Sequence, residues 1–158
     1  MKFQLLKYLS ILFITVFLLY SCQNENDGDN DDDEQKISTY FDNDSHNAGQ
    51  NCMNCHVSGG SGEGNFIAAG TVYDNLKTSI YPNATVKLYS EPNGTGTLKH
   101  TIEVDGLGNF YTTSFIDFSN GLYVSVEGNS EIKHMASPIT SGQCNSCHGS
   151  STDKIWTN

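Results

Sequence analysis

Arginine is missing altogether from these 158 residues, so eight lysines carry all the fixed positive charge against eighteen carboxylates. A face basic enough to neutralise a phosphate backbone is hard to assemble from that stock, which argues against nucleic acid as a partner. Long helical periodicity is missing too: no extended stretch repeats apolar residues at three-to-four spacing. The apolar run Leu9–Leu19 has eleven residues, well short of the roughly twenty that a membrane-spanning helix needs. Cysteine is scarce, with five in the chain. What the chain does hold is acid, glycine and short β-branched or aromatic runs, at a formal net charge of −10.

The charge is unevenly placed. Seven of the eighteen acidic residues lie between Glu25 and Glu34, in the run NENDGDNDDDE. Such a run repels itself and buries nothing, so residues 22–35 read as a solvated acidic tether. Ahead of it, residues 1–21 have the build of an export signal, with Lys2 and Lys7 before the apolar run. Leu19-Tyr20-Ser21-Cys22 resembles the lipobox of bacterial lipoproteins, in which the chain is cut before the cysteine and the sulfur receives a diacylglycerol. The resemblance implies lipidation at Cys22 and anchoring to the cell envelope, most simply the outer membrane, without a spanning helix. Cleavage removes two lysines, taking the net charge from −10 to near −12.

The other four cysteines form two identical units, Cys52-Met53-Asn54-Cys55-His56 and Cys144-Asn145-Ser146-Cys147-His148. C-x-x-C-H is the haem c attachment signature. Its spacing lets two thiols add to the vinyl groups of one haem edge while the adjacent histidine becomes the proximal iron ligand. Every cysteine after position 22, and two of the five histidines, fall inside the motif. The flanks Asn43-Asp44-Ser45-His46 and Cys147-His148-Gly149 resemble those of multihaem c-type cytochromes, which implies two covalent haems, with His56 and His148 as iron ligands. Two other readings use the same cysteines: a tetra-cysteine zinc knuckle, or a pair of disulfides in an oxidising compartment. The zinc reading leaves the two trailing histidines unexplained.

Each iron also needs a sixth ligand or keeps an open site. His46, six residues before Cys52, is the candidate for the first. His134 and Met135 precede Cys144 at the end of an expected strand, where neighbours face opposite sides, so only one of them can face a given haem. His134 is the preferred member of that pair. Its choice matters, because bis-histidine ligation holds the potential low and methionine raises it. His100 shares strand parity with Leu98, Ile102 and Val104 and reads better as a core or edge residue than as a ligand.

Between the motifs the chain turns β-rich. Phe66–Tyr73, Ala84–Tyr89, Thr97–Val104, Asn109–Ser114, Leu122–Glu127 and Glu131–Ser137 are candidate strands, punctuated by Pro92-Asn93-Gly94, Asp105-Gly106, Asn120-Gly121 and Gly128-Asn129. The expected fold is mainly β, a small sandwich of six or seven strands over 66–137. Haem-binding arms at 36–65 and 138–158 flank it. The pieces Gly70-x-Val72, Ala84-x-Val86-x-Leu88, Val104-Asp105-x-x-Gly108-x-Phe110 and Leu122–Val126 resemble carboxypeptidase-regulatory or Cna-B domains, which implies an immunoglobulin- or transthyretin-like module without chemistry of its own. If six strands alternate in direction, the chain enters and leaves the sandwich at one end and the two motifs become neighbours. A seventh strand at Leu76–Ile80 would separate them. The glycine run 59–64 reads as a flexible connector.

These features lead to an expected function: an envelope-anchored electron carrier that exchanges electrons with a redox partner protein. The alternatives are a lipid-anchored binding module whose cysteines hold zinc or disulfides, and a small dihaem peroxidase or reductase with one open iron.

Overall fold

The computed structural model describes residues 35–158. The signal at 1–21, Cys22 and all of the acidic tether except Gln35 lie outside the described residues. The fold is a β-sandwich of two four-stranded sheets. Its strands are β1 (Ala68–Tyr73), β2 (Thr85–Tyr89), β3 (Leu98–Glu103), β4 (Asn109–Thr112), β5 (Tyr123–Glu127), β6 (Ile132–His134), β7 (Gly142–Gln143) and β8 (Ile155–Trp156). The first sheet holds β4, β1, β7 and β8, and the second runs β3-β2-β5-β6.

Alternation decides which side chains meet. On β2, Val86 and Leu88 are buried while Thr85, Lys87 and Tyr89 are half-buried. Val86 pairs with Ile102 and Val126, and Leu88 with Val124, so these three strands present one apolar face. Ala68, Val72 and Phe110 of the first sheet close over it, joined by Val104, Ile116 and Leu122. β1 is buried at all six positions. Its inner face meets the core, and its outer face lies beneath the segment that carries the first C-x-x-C-H motif.

All six expected strands form, and every pairing among β1–β6 joins an odd strand to an even one, antiparallel. The expected parity therefore holds, and the motifs are neighbours: Asn145 Nδ2, in the second motif, donates to Gln50 O, two residues before Cys52, at 2.9 Å. Leu76–Ile80 is not a strand; it is a turn that returns to β1 through a single bridge between Tyr73 and Ile80.

The arms are not outside the sandwich. Residues 36–38 lie along β4, with Ser38 N donating to Tyr111 O at 3.0 Å and Thr113 N to Lys36 O at 2.9 Å. At the other edge, β7 and β8 both run parallel to β1, with Ala68 opposite Gly142 and Val72 opposite Ile155. They behave as one edge strand from which residues 144–154 bulge. The sandwich therefore extends past 137 to the last residues. Strands of two residues carry no alternation, which is why they escape a reading by periodicity.

Candidate functional site

The two motifs have the same backbone. Cys52–Asn54 and Cys144–Ser146 each form one 3-10 turn. In the first, Cys52 O accepts from Cys55 N at 3.1 Å and His56 N at 3.0 Å; in the second, Cys144 O accepts from Cys147 N at 3.2 Å and His148 N at 3.0 Å. The leading thiol of each pair points back to a carbonyl two residues earlier, Cys52 to Gln50 O and Cys144 to Gly142 O. All four thiols are free, the leading one half-buried and the trailing one exposed. Burial pushes the Cys52 thiol up, and pushes Cys144 up to about 12 with the neighbouring Cys52 adding to the effect.

Both histidines are held in the same way. His56 Nδ1 lies 2.7 Å from Glu63 O, and His148 Nδ1 lies 2.6 Å from Asp153 O. A carbonyl oxygen only accepts, so each Nδ1 carries a proton, and in the neutral ring this leaves the lone pair on Nε2. This is the outer-shell bond that fixes tautomer and orientation in metal-ligating histidines. The glycine run 59–64 is the means of making it at the first site, not a slack connector. It folds back so that Gly60 N reaches Val57 O at 2.8 Å and Gly62 N reaches Cys55 O at 3.0 Å. A Cβ on Gly62 would stand 2.8 Å from the His56 ring, and one on Gly60 only 2.0 Å from Cys55 O. Only glycine permits both approaches.

Each motif opens onto its own cavity. The first, of about 690 Å³, is bordered by Cys52, Cys55, His56, His46, Phe66 and Tyr111, with Asp42, Asp44 and Glu63 nearby. The second, of about 570 Å³, is bordered by Cys144, Cys147, His148, Met135, Phe110 and Trp156. Both volumes suit a bound organic cofactor. Strand β4 serves both: Phe110 points inward to the second cavity, and its neighbour Tyr111 points outward to the first. A wall one sheet thick thus separates the two. On the outer side the rings stack in series, His56 on Phe66 at 4.2 Å and Phe66 on Tyr111 at 4.9 Å.

A buried polar chain ties the two turns to this wall. Asn145 is 7% exposed. Its Oδ1 accepts from Thr71 N at 3.2 Å, and its Nδ2 donates to Thr71 Oγ1 at 3.1 Å as well as to Gln50 O. Thr71 Oγ1 donates to Asn109 Oδ1 at 2.7 Å, and Asn109 Nδ2 reaches Ser45 Oγ at 2.9 Å and His46 O at 3.3 Å. The chain thus runs from one motif to the His46 segment beside the other. Thr71 and Asn109 escape a sequence reading because polar residues on a strand look like a solvated face. Here that face is roofed by an arm.

The remaining histidines separate clearly. The His46 and His56 rings stand 5.8 Å apart by centroid, tilted 39°. His134 and Met135 both border the second cavity, but their side chains part. His134 pairs with Ser125, and its Nδ1 lies 2.7 Å from Ser125 Oγ, on the outer face of the second sheet beside Gly94. Met135 has the parity of Lys133 and of the inner-face residues Val124 and Val126, and so faces the second motif. His100 lies on edge strand β3 and borders neither cavity; burial holds its imidazole below the usual range.

The donor set fits haem c at both turns: two free thiols at the required spacing, an imidazole with Nε2 available, and an adjoining cavity. Among the described residues, no group of three or more His, Cys, Asp or Glu is gathered as a cation site, and no helix is long and apolar enough to cross a membrane. Family models, curated proteins and solved structures yield no match to the chain.

Proposed function

We propose that the protein is a lipid-anchored c-type cytochrome that carries two covalent haems and passes single electrons to and from a redox partner at the cell envelope. The observation that carries this reading is the repetition of one construction: a C-x-x-C-H turn, a histidine clamped by a main-chain carbonyl at Nδ1, and a cavity in front of it. Cys52, Cys55, Cys144 and Cys147 would hold the porphyrin edges, and His56 and His148 the irons. Bound haem supplies the one-electron ferric–ferrous couple; the chain sets its potential, exposure and docking. The clamps at Glu63 O and Asp153 O hold each ring in orientation, with Nδ1–H turned to the carbonyl and Nε2 turned away from it. Exposed Cys55 and Cys147 place one side of each site at the surface, which favours exchange with a partner.

The test is expression with an intact haem-attachment pathway, followed by intact mass and a haem-stained denaturing gel. The expected mass corresponds to two haems. The double variant Cys52→Ala/Cys55→Ala should retain one, and Cys144→Ala/Cys147→Ala the other. A chain that runs without covalent haem sinks the reading, and bound zinc in its place would support the binding-module alternative.

A further inference from the structure

We infer that the two irons are ligated differently, His46 facing His56 at the first site and Met135 facing His148 at the second, so that the second is the higher-potential centre. This rests on the dihaem reading and goes beyond it by assigning the far side of each iron. Two imidazoles on opposite sides of one metal ion, each about 2 Å from it, bring their ring centroids to roughly 6 Å. The His46–His56 separation of 5.8 Å is of that size, and His46 is held there through its own carbonyl by Asn109.

At the second site the strand parity of β6 decides. His134 is turned to the outer face, its Nδ1 engaged by Ser125 Oγ. Met135 is turned to the inner face, into the cavity that holds His148. Lys133 shares that face, but its ammonium is engaged: it pairs with Glu131 and lies 3.8 Å from the centroid of the Trp156 ring. A thioether is thus the ligand left on that wall.

The surroundings push the same way. Asp42, Asp44 and Glu63 outnumber Lys36 around the first cavity, and an excess of carboxylates favours the extra positive charge of a ferric iron. The second is bordered by Phe110, Val124, Val126 and Ile139, and there Lys133 and Lys154 outnumber Asp153, which disfavours that charge. Thioether ligation and a drier, more cationic site both raise the potential. With haem bound, the site held by His148 and Met135 would therefore take the first electron from a one-electron reductant, and the site held by His56 and His46 the second.

The experiment uses the purified two-haem protein. Its oxidised near-infrared spectrum should contain one sulfur-to-iron charge-transfer band, and a potentiometric titration should resolve two one-electron waves of equal amplitude. Met135→Leu should abolish the band, shift only the upper wave downward, and open one haem to carbon monoxide. Met135→His should abolish the band and bring the two waves together without opening a site. His134→Gln should leave band and waves unchanged. Two covalent haems with no sulfur band, a band that survives Met135→Leu, or waves that move with His134→Gln would each overturn the ligand assignment and leave the dihaem reading standing. Absence of covalent haem would overturn both.

Discussion

The two C-x-x-C-H turns agree in nearly every main-chain bond and differ in what supports them. The first is carried by a long arm laid over the outer face of the first sheet, and its histidine stacks on Phe66. The second interrupts an edge strand, and its leading cysteine packs toward the sandwich core. The local motif therefore depends little on its frame. The frame decides polarity, burial and which side chain waits across the cavity. A short turn with its own clamp is a transferable unit, while the side chain opposite belongs to whichever element the fold places there.

Strand β4 offers the sharpest way to break this comparison, since consecutive residues serve different sites. Phe110 is 1% exposed, so Phe110→Ala should cost about 3–5 kcal/mol through lost burial and a residual void. Its damage to a site should fall on the second alone. Tyr111→Ala removes only the outer ring stack, costs about 1 kcal/mol, and should perturb the first site instead. Thermal unfolding, together with haem spectra of the single-site variants, separates the two; a Phe110→Ala lesion felt equally at both sites would contradict the two-faced wall.

Asn145 sits where the two turns touch. Asn145→Ala leaves buried Thr71 N and part-buried Gln50 O without their partner, at about 2 kcal/mol. Unlike the β4 variants it should loosen both motifs, which hydrogen exchange at Thr71 and in residues 49–52 would register. Unchanged protection near Cys52 would mean the turns are coupled less than their hydrogen bonds suggest.

The sequence made the strands legible wherever apolar residues alternate, as in Ala84–Tyr89, because a half-buried sheet imposes that period. The C-x-x-C-H turns were equally legible, since residue type and spacing alone define them. What stayed hidden has one physical origin: it depends on what lies across space. The clamps are backbone carbonyls of Glu63 and Asp153, which leave no side-chain signature. Val72 and Tyr73 gain β8 as a neighbour from residues 155 and 156, too few for a pattern. Strand parity correctly required that His134 and Met135 part. Which one faces inward depends on how β6 docks on β5, and that pairing puts His134 with Ser125 on the outside.

Thiol reactivity in haem-free protein tests the shared construction itself. Exposed Cys55 and Cys147 should alkylate faster than Cys52 and Cys144, in the same order at both sites. Burial raises the Cys144 thiol from 9.0 to about 12, so the folded state holds that proton more tightly than the unfolded one. Its contribution to stability is then complete below pH 9 and declines as the pH rises toward 12. Chemical denaturation between pH 8 and 11 should show this fall, and Cys144→Ser should lessen it, leaving the smaller share of Cys52, which burial also raises. A stability that rises across that range would be the opposite sign and would rule out burial as the dominant influence on this thiol.

The smallest expected effect sharpens a difference in how the two turns are capped. Asn51 accepts from Met53 N at 3.2 Å and so caps the first 3-10 turn, whereas Gln143 places no side chain on the second. Strand pairing at Gly142–Gln143 and the anchor of Asn145 take over that work. Asn51→Ala should therefore cost about 0.5–1 kcal/mol, and Gln143→Ala close to nothing, each read from the midpoint of denaturant unfolding. Equal losses would mean that the second turn also depends on a local cap. Its support would then not come from the sheet, and the contrast between a self-capped turn and a sheet-held one would fail.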